Sequence, residues 1–299
     1  MARRIMMRGK RPGSQGNPAM TRSARAPTQP SEPTFRFAGE RLAAQWKVLH
    51  AGDLEPWPDA QRARLLQNLS SAEVGDPARL AVALQDAWRA YHEGDFAGAH
   101  VRGLVLGLAG AGVALRAACA EARYRGVDVA ARHAQLAALL PVAEALRNAL
   151  PDEPNSHFRL AQVLGDLLEN QDAQVRPDEV VLQNQHAALR RALRLAPRHG
   201  EAQLALGVFH ANVIARLGAI GARTGCVASA TAAEHHLELA RRLLPGHPRV
   251  WLETGRALRL LSGVHQGSAI TEAFRRAAKM TPRDAASALD ADWARAQLR

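Results

Sequence analysis

Beyond residue 34 the apolar positions of the chain recur at helical spacing. Phe37, Leu42, Trp46 and Leu49 lie near that spacing, and Pro56 and Pro58 end the run. Arg62, Leu65, Leu66 and Leu69 open a second helix, and Leu80, Leu84, Trp88 and Tyr91 form one stripe of a third. Gly94-Asp95-Phe96 predicts a tight turn. Ala99 then begins a helix with Gly103 and Gly107 four residues apart on it, a spacing that lets helices approach closely. Val129 to Leu150 predicts one or two helices, kinked or separated at Pro141. No stretch alternates β-branched residues between hairpin turns, so no strand is expected.

From Pro151 to Pro282 one pattern occurs three times. His157, Leu160, Ala161 and Leu164 are followed by Leu189, Ala192 and Pro197. Gln203, Leu206, Gly207 and His210 are followed by Ala233, Leu237, Ala240 and Pro245, and Trp251, Gly255 and Leu258 by Phe274, Ala277 and Pro282. Such self-similarity signifies stacked supersecondary units, none able to bury its own apolar face. Ala161, Gly207 and Gly255 on the first helix, and Ala192, Ala240 and Ala277 on the second, fall where paired helices would cross at short distance. Each closing proline lies just past the second helix, where it ends the helix without removing a needed bond.

These residues resemble the tetratricopeptide repeat, and Ala87, Tyr91, Gly94, Asp95, Phe96 and Ala99 resemble a degenerate copy of it. The resemblance implies an all-α fold, a right-handed stack of antiparallel helical hairpins. That repeat is about 34 residues long. Here Pro151 to Pro197 spans 46 residues, Pro197 to Pro245 spans 48, and Pro245 to Pro282 spans 37, so the hairpins are atypically long. In the second unit the surplus is Val213 to Gly225, an apolar helical extension ending in a Gly-rich turn. Long paired insertions are similar to those of the tetratricopeptide-like T-components that accompany TRAP-type substrate transporters in proteobacteria. The expected organisation is a disordered basic tail (1–34), an N-terminal helical region with the degenerate repeat (35–150), three hairpins (151–283) and a C-terminal capping helix (284–299). In that helix Leu289, Trp293 and Ala296 face the stack, while Asp290, Asp292, Arg295 and Arg299 face water.

Composition agrees with closely packed helices. Apolar residues make up 47% of the chain and aromatic residues only 4%, and Ala and Leu dominate the apolar set. The net charge of +11 is largely a property of the tail, where seven basic residues stand against Glu32. A nucleic-acid groove on the folded body is therefore not expected, although the tail is a candidate anion-binding arm. Cys119 and Cys226 read as free thiols in a reducing compartment, which makes the expected location cytoplasmic. The longest apolar run, Gly103 to Leu115, is too short to span a membrane, and no secretory signal is legible.

Little chemistry is visible. The glycines at 103, 107, 110 and 112 do not form a dinucleotide fingerprint, and no nucleophile elbow or phosphate loop occurs. No cofactor, metal or catalytic residue is assigned, and the chain is not expected to be an enzyme. His157 and His210 read as core-edge rings with bonded polar tips, and Asp152, Glu153, Asp166, Glu169 and Asp172 as a solvated face and helix caps. Gly221 to Gly225 reads as a turn, or as an anion wrap around Arg223.

The resemblance adds a concave surface, lined by the first helix of each unit. That face would carry Asn155, Phe158 and Gln162, then Leu204, Val208 and Asn212, then Arg249, Leu252, Arg256 and Arg259. Asn155, Gln162 and Asn212 would supply amide contacts. Arg249, Arg256 and Arg259, spaced by 7 and 3, can share one side of a helix and grip a carboxylate, unless they form a solvated stripe. The expected function is a non-catalytic scaffold for a peptide or acidic protein partner. The alternative is an accessory of small organic-acid transport, oligomerising through residues 213–225.

Overall fold

Aspartate starts many of the helices. Asp59, Asp76, Asp95, Asp128, Asp178 and Asp284 each accept a backbone N–H of the helix that follows, and Ser229 does the same through its hydroxyl. Each cap satisfies a donor that the helix itself leaves unpaired. The computed structural model describes residues 35–71, 76–125, 128–171, 175, 177–225, 228–262 and 267–299. The tail, Asp172 and Cys226 lie outside this set. Among the described residues the chain is all-helical, without strands.

The first part comprises α1 (Arg41–Leu49), α2 (Ala60–Leu66), α3 (Pro77–Glu93), α4 (Phe96–Val105) and α5 (Ala111–Arg125). Gly94 ends α3 with φ +94°, a conformation that side chains with a Cβ resist, and so makes the expected turn. Next come α6 (Val129–Ala138) and α7 (Leu140–Ala149), separated just before Pro141, which sits in the first turn of α7. Gly107 departs from expectation. Helix α4 ends at Val105, and Gly107 opens a short 3-10 helix, Gly107–Gly110, with φ +66°, so of the two only Gly103 faces α5 from α4.

The repeat region supplies α8 (Pro154–Asn170), α9 (Glu179–Leu195), α10 (Gly200–Gly225), α11 (Ala230–Leu243), α12 (Pro248–Ser262) and α13 (Gly267–Lys279), and α14 (Ala285–Ala296) closes the chain. Helix α8 packs on α9, α10 on α11, and α12 on α13. A Cβ on Gly207 would lie 2.8 Å from Leu237, and one on Gly255 would lie 2.7 Å from the Phe274 ring. Both glycines mark close approach between paired helices. The expected Gly-rich turn at 221–225 is instead helical, and the backbone leaves helical geometry at Gly218 (φ 70°, ψ 166°).

Helix α14 differs from an end cap with one wet face. It packs on α12, α13 and α3. Leu289 joins a core of Phe37, Trp46, Trp88 and Tyr124. Asp290, expected on the wet face, is 2% exposed and accepts a 2.7 Å hydrogen bond from the Tyr124 hydroxyl. The first and last described helices therefore share one core.

Candidate functional site

Each unit opens in the same way. Six residues after its leading proline, a side-chain nitrogen bonds the proline carbonyl. His157 Nε2 lies 2.8 Å from Pro151 O, Gln203 Nε2 donates to Pro197 O at 3.2 Å, and Trp251 Nε1 donates to Pro245 O at 3.2 Å. This contact makes the three openings structurally equivalent. The residue four after each proline is then Asn155, Glu201 and Arg249.

In the first two units that residue is taken up by the N-terminal region. Asn155 Nδ2 donates to Glu55 at 2.6 Å, and its Oδ1 lies 3.0 Å from His199 Nε2. Glu201 receives both Arg116 guanidinium nitrogens, at 2.8 and 2.9 Å. The loop between α1 and α2 makes these contacts possible. Its Gly52 carbonyl accepts the Glu201 N–H at the start of α10, and Leu54 takes a left-handed backbone conformation. Asp53, fully buried, accepts from His50 (2.9 Å), Arg116 (2.8 Å) and Arg159 (2.7 Å).

The electrostatics follow from this crowding. Burial alone would raise the Asp53 carboxyl, but His50, Arg116 and Arg159 outweigh it and hold it well below its usual range. Burial also opposes Glu201, yet Arg116 brings it down to about 2. Glu55 lacks such a guanidinium contact, and burial together with the Asp53 charge pushes it up to about 7.

In the third unit the equivalent residue faces open space. Arg249 lines a cavity of about 300 Å³ bounded by α1, α3, α5, the starts of α10 and α12, the end of α11, and α14, and Glu201, Asp284 and Asp290 line it as well. Among the described residues the side chains of Arg249, and of Lys47 and Arg283 on the same cavity, make no hydrogen bond or ion pair. Burial opposes the charge on Arg249, but Tyr124, Asp290 and Glu253 outweigh it and keep the group cationic. His247 Nδ1, also at this cavity, is buried without a partner.

The three expected arginines therefore do not converge. Arg256 is held by Glu253 at 3.0 Å and by Glu169 at 3.5 Å, and the Glu253 charge raises its pKa further. Arg259 is exposed, bonds Gln297 at 2.8 Å and covers the Phe274 ring. Gln162 and Asn212 do come together, on a second cavity of about 90 Å³ between α8, α9 and α10, with Phe158 and Val208 beside them. Gln162 also accepts from Arg159 at 3.0 Å. Leu204 and Leu252 are buried in separate apolar clusters and present no groove surface.

Several polar residues also differ from expectation. Asp166 is not a solvated residue. It is 7% exposed and pairs with Arg123 at 2.5 Å. His157 has its bonded tip, but His210 Nδ1 is buried and unpartnered, with His186 and His236 as ring neighbours. Cys119 is free and buried, and burial raises its thiol well above the usual value. Among the described residues no three His, Cys, Asp or Glu groups cluster as a metal site. Among the same residues no helix is long and apolar enough to cross a membrane. No family model matches the sequence, and no curated protein matches it.

Proposed function

We propose that the chain is a non-catalytic, tetratricopeptide-like stack of long helical hairpins that binds a carboxylate-bearing ligand in the cavity of about 300 Å³. The observation that carries this reading is Arg249. It stands where Asn155 and Glu201 hold the N-terminal region in the other two units, yet among the described residues its side chain makes no hydrogen bond or ion pair, and it lines the cavity with Lys47 and Arg283, across from Glu201, Asp284 and Asp290. A guanidinium donates two parallel hydrogen bonds to a carboxylate, and such charge-assisted bonds are the strong ones. The volume is of the order that drug-sized ligands occupy. A small organic acid and the C-terminus of a peptide offer the same group. The organic acid corresponds to the resemblance to transporter T-components.

Calorimetric titration of the full chain with succinate, with a short peptide ending in a free carboxylate, and with the same peptide amidated separates the sources. Binding of succinate alone favours the organic acid, and binding of the free but not the amidated peptide favours a C-terminus. Arg249→Ala is expected to weaken either by roughly 10-fold or more, given ~1.5–3 kcal/mol for a hydrogen bond to a charged group. Failure of all three probes to bind, or equal affinity in Arg249→Ala, overturns the reading.

A second reading has its own observation. Gln162 and Asn212 share the cavity of about 90 Å³ with Phe158 and Val208, an amide-edged apolar slot that suits a side chain of a bound peptide. Binding of the amidated peptide, lost in Asn212→Leu and retained in Arg249→Ala, would support it.

A further inference from the structure

Four side chains form a continuous line through the interior. Asp53 Oδ1 lies 2.9 Å from His50 Nδ1, His50 Nε2 lies 3.1 Å from His92 Nε2, and His92 Nδ1 lies 2.9 Å from Asp284 Oδ2. His50 is 2% exposed and His92 is fully buried. The line joins the α1–α2 loop, α3 and the cap of α14, which are 42 and 192 residues apart along the chain.

The proton count of this line follows from its ends. Asp53 accepts from two guanidiniums as well as from His50, and Asp284 accepts the Ser287 N–H at 2.9 Å as the cap of α14. Both carboxyls are held below their usual range. Burial opposes that in each case, and the histidine contacts act against it. An ionised carboxylate only accepts, so the Nδ1 atom facing it must carry hydrogen. That leaves the two Nε2 atoms facing each other at hydrogen-bond distance. Two bare lone pairs there would repel inside a low-dielectric interior, and two N–H groups would clash.

We infer that His50 and His92 together form one proton-binding site, which holds a single shared proton between their Nε2 atoms at neutral pH and so keeps α14 docked on α3. The surrounding charges agree. The charged side chains joined to this line by hydrogen bonds are Asp53 from the loop, Arg116 and its partner Glu201 from α5 and α10, Arg159 from α8, and Asp284 from α14. Three carboxylates against two guanidiniums leave one negative charge, which the shared proton neutralises. Glu55 is turned toward Asn155 and lies outside this set. Tyr91, adjacent to His92, is raised by burial and stays neutral. Burial drives His50 down to about 4. The aromatic faces around the rings suit a cation. Trp46 lies 3.9 Å from the His50 ring centroid, and Trp88 stacks on His92 at 5.9 Å.

The test is nuclear magnetic resonance of the full chain labelled with ¹⁵N in its histidine rings, at pH 7.5. The expected result is three protonated nitrogens out of the four in this pair, with one proton correlated to both Nε2 atoms. A count of two or four protonated nitrogens overturns the inference, as does a bare Nδ1 on either ring. His50→Gln and His92→Gln assign the signals. Should both variants unfold, contacts to the Trp46 and Trp88 indole protons assign them in the unaltered chain. On titration to alkaline pH, loss of the shared proton is expected to coincide with lower hydrogen-exchange protection factors in α14, taken relative to the base-catalysed intrinsic rate at each pH. Unchanged protection factors there overturn the docking role.

Discussion

The start of α8 and the start of α12 occupy equivalent places in their units and meet opposite surroundings. At α8, Asn155 is bonded to Glu55 and His199, and Arg159, one turn further on, is fully buried against Asp53. At α12, Arg249 opens onto a cavity and Arg259 is exposed. The difference comes from the α1–α2 loop, which sets Asp53 and Glu55 against α8 and its Gly52 carbonyl against the start of α10. The sequence pattern supplies equivalent positions, and the neighbour decides whether each becomes an internal joint or stays open to a cavity.

The sharpest way to break the comparison is to remove the joint. Asp53→Ala leaves the Arg159 guanidinium without its carboxylate in a site of 0% exposure, and losing one member of a buried pair costs about 3–5 kcal/mol. Urea denaturation should show that loss as a lower midpoint. A loss below ~1 kcal/mol would mean that α8 and α12 are alike after all.

Acid should loosen the same joint. Burial brings His50, His199, His210 and His236 down to about 4, while unfolded histidines titrate near their usual value of 6.5. The unfolded chain thus binds more protons between pH 6.5 and 4, and stability falls as pH falls through that window. Glu55, raised to about 7, works in the opposite sense, since its protonated form favours the fold and this contribution is lost as pH rises toward 7. Denaturation midpoints between pH 4 and 7 should therefore rise with pH, and more steeply in Glu55→Gln. A flat profile in both would contradict these shifts.

Packing within a unit should be less sensitive than the joint. Gly255→Ala places a methyl 2.7 Å from the Phe274 ring, and overpacking of this kind costs about 1–3 kcal/mol. The smallest effect belongs to the outer surface of α12. Arg259→Ala should change stability by no more than about 0.5 kcal/mol, because its contacts with Gln297 and Phe274 are on an exposed side chain. A larger change would place Arg259 with the joint residues.

Asn155 shows where the sequence could be read and where it could not. Its place on the first helix of a unit was legible from Pro151 and His157, yet its partner Glu55 lies 100 residues away. Asp166 and Asp290 carry no mark in the chain that distinguishes a buried, paired aspartate from a solvated one. The one signal near the joint was the clustering of His50, Asp53 and Glu55 between two helices, just before Pro56.

The sequence by itself determined the helices, their aspartate caps and the threefold spacing of prolines and small residues, because helical period, capping and proline geometry act over a few residues. Only the tertiary structure decided which charges met. Arg249 was left open, Arg256 was paired with Glu169, and Asp284 was set against His92 across 192 residues. The physical reason is that a charge's environment depends on burial and on partners brought in by distant elements, and neither is written in its local sequence.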